Sequence, residues 1–259
     1  MKVMVNIIAI IVLIGTIIGG KLYWNKQTSA GMSKLVETAV ASNEMSSKTK
    51  NRSWEEYTKN LPKSVVAKLK EAEKSGKPMN LLIVGLQATS TDLTGWPAML
   101  KETLKNTYGS LINVKVLEYK DTTTLDFVRN KEYEDIIKEK PDVLLFEPFL
   151  LNDNGIVGIT NTLDNLNVIM SHLTNSNSNL VTILQPSQPI YNASNYPKEA
   201  DALKDFAEEK GYEYLNHWSA WPDYRSDKIL DYLVQKQHIP AKKGNKAWAS
   251  YLKEYFTAS

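Results

Sequence analysis

The chain has 259 residues, 42% hydrophobic and 23% charged, enough to bury one sizeable α/β core with length left over. Its 31 basic and 29 acidic residues leave a formal charge of +2, which offers no basic footprint for nucleic acid. Cysteine is absent, excluding disulfides, thiolate metal sites, a cysteine nucleophile and a lipidated N-terminal cysteine.

From Val3 to Gly20 the chain carries no charge, with Asn6 and Thr16 as the only polar interruptions. At about 1.5 Å per residue such a run approaches a bilayer span. Lys21, Tyr23 and Trp24 close it with a cation and interfacial aromatics. The pattern predicts a retained membrane helix over residues 1–26, in preference to cleavage at the weak site Thr28-Ser29-Ala30-Gly31. Positive charges flank both ends, so an outward-facing domain rests on the signal-like order of the parts. Residues 27–52, rich in Ser, Thr, Asn and Lys, read as a stalk that cannot hold a packed core. A lead-in segment over 53–78 follows, in which the spacing of Trp54, Tyr57, Leu61, Val65, Leu69 and Ala72 predicts one amphipathic helix to Lys74, stopped at Gly76 and Pro78.

The remaining domain, 79–259, alternates strand and helix patterns. Strands are expected at 80–84, 111–118, 142–146, 179–185 and 212–215; helices at 96–108, 122–138, 160–173 and 196–210, with two more near 226–236 and 243–256. Strict alternation implies a three-layer α/β/α sandwich around a mostly parallel five-stranded sheet. The stretch from Asp142 to Gly155 is the most telling, because an apolar run opens into the polar turn Asn152-Asp153-Asn154. Such folds carry functional side chains at the carboxyl edge of the sheet.

The three histidines, His172, His217 and His238, lack metal-ligand spacing, so neither a metal nor a cofactor is expected. Gly85-Leu86-Gln87 carries neither the dinucleotide nor the phosphate-loop fingerprint. Trp96, Trp218, Trp221 and Trp248 either line a carbohydrate cleft or belong to the core; Tyr191, Asn192 and Tyr196 either overhang the site or pack it.

In this order, the segments LLIVGLQATS at 81–90, GWP at 95–97, DTTT at 121–124, LLNDN at 150–154, LQPSQPIYNASNYP at 184–197, HWSAWPDY at 217–224, and IPAKKG with KAWASYL near the C-terminus resemble the SGNH or GDSL hydrolase family, particularly its small membrane-anchored members of Gram-positive cell envelopes. The resemblance covers about Asn80 to Phe256 and implies an SGNH/flavodoxin-like fold and acyl transfer to water or another hydroxyl. A serine nucleophile, an oxyanion site of backbone N–H groups and an asparagine, and a C-terminal Asp-x-x-His pair would do the chemistry. Here Gln87 stands in the serine place, Lys120 in that of an oxyanion glycine, Ile239 in that of the histidine, Ala241 in that of the following asparagine and Lys236 in that of the aspartate. Asn152 and Asp153 match the family's Asn-Asp pair, although Asn152 is equally a turn-former.

Two readings follow. In one, Ser90, with Thr89 beside it as the alternative, and His238 form a displaced nucleophile and base with Asn152 as oxyanion donor, making an esterase, deacylase or O-acyltransferase of acylated envelope carbohydrate or lipid. No acid is evident for His238, since Gln235 lies three residues before it and Asp231 seven. In the other, the cleft survives as a binding or scaffold module without the triad.

Overall fold

The computed structural model describes residues 53–234 and 239–258. The apolar N-terminal run, the expected stalk and the candidate His238 lie outside the described residues. Among the described residues no helix is long and apolar enough to cross a membrane.

Five strands, β1 (Met79–Gly85), β2 (Ile112–Glu118), β3 (Val143–Phe146), β4 (Val181–Leu184) and β5 (Glu213–Tyr214), form one parallel sheet in the order β2-β1-β3-β4-β5. Among the described residues, seven longer or shorter α-helices accompany them up to β5: α1 (Lys63–Ser75), α2 (Trp96–Tyr108), α3 (Thr124–Arg129), α4 (Tyr133–Glu139), α5 (Leu150–Asp153), α6 (Ile159–Ser176) and α7 (Tyr196–Lys210). After β5 come two 3-10 turns, His217–Ala220 and Asp227–Tyr232, an antiparallel ribbon of β6 (Leu233–Val234) and β7 (Ile239–Pro240), and the closing helix α8 (Lys242–Thr257).

The near-continuous apolar character of β1 and β3 reflects burial of both sheet faces. Leu81, Ile83, Val143 and Leu145 meet α1, α2 and α8 through Leu69, Leu100 and Leu252. Leu82, Val84, Leu144 and Phe146 meet α3, α4, α6 and α7 through Phe127, Ile136, Ile169 and Leu203. The expected mostly parallel five-stranded α/β sheet is therefore what the chain forms. Because β1 lies between β2 and β3, the crossovers diverge at its carboxyl end, where such sheets open a crevice.

Several expected elements are divided differently. The lead-in segment is a short 3-10 turn, Trp54–Tyr57, followed by α1, because Pro62 lacks an N–H and precludes a continuous helix across it. Helix α1 buries Val65, Leu69 and Ala72 in the core of the domain. The helix expected over 122–138 is two helices, broken where Lys131 takes a positive φ of 56°. The helix expected near 226–236 is a 3-10 turn leading into β6, whose backbone instead pairs with β7, a partner no local pattern reveals. The polar turn after β3 is the single helical turn α5.

Candidate active-site cleft

Strand β1 ends at Gly85 in a tight turn in which the Thr89 N–H donates to the Leu86 carbonyl at 2.8 Å, leaving Gln87 and Ala88 at the tip. Gly85 is required there, since a β-carbon would collide with the Glu147 carboxylate and the Thr89 side chain. Glu147 follows β3 and is fully buried. It accepts short hydrogen bonds from the Thr89 and Ser187 hydroxyls, joining the turn after β1, the exit of β3 and the loop after β4 at one carboxyl group. Burial pushes this carboxyl up to about 7, against the opposing pull of the Ser187 and Thr89 hydroxyls and the Leu86 backbone. Sequence reasoning missed Glu147. The signal it left is a lone acid inside the otherwise apolar run from Val143 to Leu151, where a charge cannot stay without partners.

Two clefts open at this edge. The larger, about 610 Å³, is lined by Ser90, Asp92, Thr94, Glu118, Lys120 and Asn245 among others. The smaller, about 280 Å³, is lined by Leu151, Asn152, Asn154, Gln188, Ile190 and Tyr196 among others. Both share Gln87, Ala88 and Ile239. Asn245 shapes the larger cleft: its Oδ1 accepts the Trp96 N–H at 2.9 Å, and its Nδ2 donates to the Pro240 carbonyl at 3.0 Å, tying α2, β7 and α8 together.

Ser90 lines the larger cleft, half-buried, with its Oγ accepting the Asp92 N–H at 3.1 Å. Asn152 lines the smaller one, and its Nδ2 donates to the Thr122 carbonyl at 3.0 Å, which occupies one of its two amide protons. The two candidates thus stand in different clefts. Neighbouring Asp153 is buried and structural, accepting from the Thr124 N–H at 2.8 Å and the Thr162 hydroxyl at 2.7 Å. His238 is not described, but Ile239 beside it lines both clefts. Gln87 is exposed, with its Nε2 3.4 Å from Asp121. Lys120 lines the larger cleft and pairs with Glu118 at 3.6 Å.

The other candidates resolve into packing. Trp96 and Trp248 are fully buried and stack at 4.7 Å, and His217 stacks on Trp248 at 3.9 Å. His217 hydrogen-bonds the Pro186 carbonyl through Nε2 and accepts the Trp221 indole N–H at Nδ1, and burial lowers its pKa to about 3. It is a neutral core imidazole, and neither cleft includes it. Trp218 donates its indole N–H to the Ser187 carbonyl at 2.7 Å, bracing the loop after β4. His172 stacks on Tyr133 at 4.2 Å. Tyr196 is buried and lines the smaller cleft, whereas Tyr191 is partly exposed and donates to Asp227 at 2.6 Å.

No family model matches the chain, and no curated protein sequence matches it. Solved structures do. A lipolytic protein of the G-D-S-L family from Desulfitobacterium hafniense is 19% identical, with a TM-score of 0.56 over 68% of this chain and 99% of its own. A GDSL-like lipase from Parabacteroides merdae is 14% identical, with a TM-score of 0.60 over 70% of this chain and 96% of its own. A carbohydrate esterase of family 3 from Talaromyces cellulolyticus is 13% identical, with a TM-score of 0.56 over 68% and 94%. These likenesses agree with the resemblance carried by the sequence motifs. The domain has the fold of the SGNH/GDSL hydrolases.

Proposed function

We propose that this domain is a ligand-binding module of the cell envelope, built on a hydrolase fold, that recognises acylated carbohydrate or lipid without hydrolysing it. The observation that carries the reading is the pair Gln87 and Ile239, which stand in the places the resemblance assigns to nucleophile and base and line both clefts. A carboxamide is no nucleophile and an aliphatic side chain no base; losing both members of a unit leaves only binding and oxyanion stabilisation. The clefts themselves remain open at the carboxyl edge. The N-terminal apolar run supports tethering to a membrane, and its signal-like order of parts supports an outward-facing domain.

A second reading, a hydrolase with a displaced Ser90 and His238 pair, is favoured by one observation: Ser90 and Ile239, the residue after His238, line the same cleft. Hydrolysis of short nitrophenyl esters by the full chain distinguishes the two. The binding reading expects no turnover above buffer. Under the displaced-pair reading turnover appears, and Ser90→Ala and His238→Ala each abolish it. Turnover retained in full by either the Ser90 or the His238 variant sinks the pair.

A further inference from the structure

We propose that the smaller cleft binds the acylamido group of an N-acylated amino sugar, with Gln87 reading that group where the resemblance places a nucleophile. The inference rests on the binding reading above and narrows it to a ligand class. Four side-chain carboxamides, Gln87, Asn152, Asn154 and Gln188, line the cleft from three separate loops, and Leu151 and Ile190 add apolar wall. Among the described residues, no residue lining the cleft carries a charge at neutral pH.

This composition selects among ligands. A carboxylate or phosphate would surrender its hydration with no counter-charge in return. A long alkyl chain would strip water from the carboxamide atoms that face the cleft and offer them no hydrogen bond, at a penalty for each atom so desolvated. A secondary amide offers one donor and one acceptor, which carboxamides complement on both counts, and its methyl group suits the apolar wall. An ester offers acceptors only. At about 280 Å³ the cleft sits just below the ~300 Å³ where drug-sized sites begin, which fits a single sugar unit rather than a long chain. The larger cleft, with Asp92, Glu118 and Lys120, joins it at Gln87 and gives adjoining hydroxyl-bearing units a polar path.

The test is calorimetric titration of the full chain in detergent micelles with the trisaccharide of N-acetylglucosamine, alongside the trisaccharides of glucosamine and glucose and an O-acetylated glucan oligomer. The N-acetylated sugar should bind at least about tenfold more tightly than the other two trisaccharides, and Gln87→Ala should weaken it about tenfold. Asn154→Ala is the second variant, and Gln87 itself is exposed, so its replacement should not disturb folding. Equal affinity for the glucose trisaccharide, or affinity unchanged in both variants, overturns the inference. Binding of the O-acetylated oligomer alone overturns it while leaving the broader binding reading standing; binding of none of these sugars overturns it and leaves the broader reading only its lipid ligands.

Discussion

Glu147 shows how one residue can hold a site together without facing a ligand. Its carboxyl gathers hydroxyls from two loops beneath the turn that presents Gln87. Its folded pKa of about 7 lies above the ordinary 4.5, so the folded state holds the proton more tightly than the unfolded chain does. That contribution is fully present below about 4.5 and is lost as pH rises through about 7. His217 has the opposite sign, because its folded pKa of about 3 lies below 6.5: its contribution is present above 6.5 and is lost as pH falls toward 3. Between about 4.5 and 6.5 the two slopes oppose each other. Glu147→Gln removes one of them. In urea unfolding across this range, stability of the variant relative to the parent should rise with pH up to about 7, by on the order of 3 kcal/mol. A pH-independent difference would mean that Glu147 titrates as an ordinary carboxyl. At this scale the place of Asn152 in a cleft was legible because Asn-Asp after a strand is conspicuous, whereas Glu147 was not, since its partners Thr89 and Ser187 lie 58 and 40 residues away along the chain.

Among the elements, α8 bears most on the clefts, because it carries Asn245 and closes one face of the sheet. Gly244, on its first turn, packs so closely that a β-carbon would strike the Tyr232 carbonyl and the Trp221 ring. Gly244→Ala should therefore lower stability by ~1–3 kcal/mol, the usual range for overpacking. Trp248, held between Trp96 and His217, should cost ~3–5 kcal/mol when replaced by Ala. Thermal or urea unfolding checks both, and a Gly244→Ala protein as stable as the parent would contradict the close approach. Helices with long regular patterns, α2 and α7, were readable to their ends. The breaks at Pro62 and Lys131 interrupted otherwise plausible patterns, and β6 depended on pairing with β7, so local periodicity misassigned them.

For the whole molecule, the clearest expectation concerns the N-terminal apolar run. The full chain should sediment with membranes and be released by detergent but not by salt, and deletion of residues 1–26 should move it to the soluble fraction. Recovery of the intact chain in the soluble fraction would remove the anchor from the proposed function. The sequence by itself determined the parallel α/β architecture, because strands buried on both faces must be apolar throughout and alternate with amphipathic helices. It also determined that a carboxamide, Gln87, and an aliphatic side chain, Ile239, stand in the places the resemblance assigns to the reacting groups, since residue identity limits chemistry before any folding. Tertiary structure alone decided that Gln87 and Ile239 border the same two clefts, that Ser90 and Asn152 line different ones, and that Glu147 sits buried beneath the turn. These are relations between side chains far apart along the chain. Sheet order and packing create them, and no local pattern encodes them.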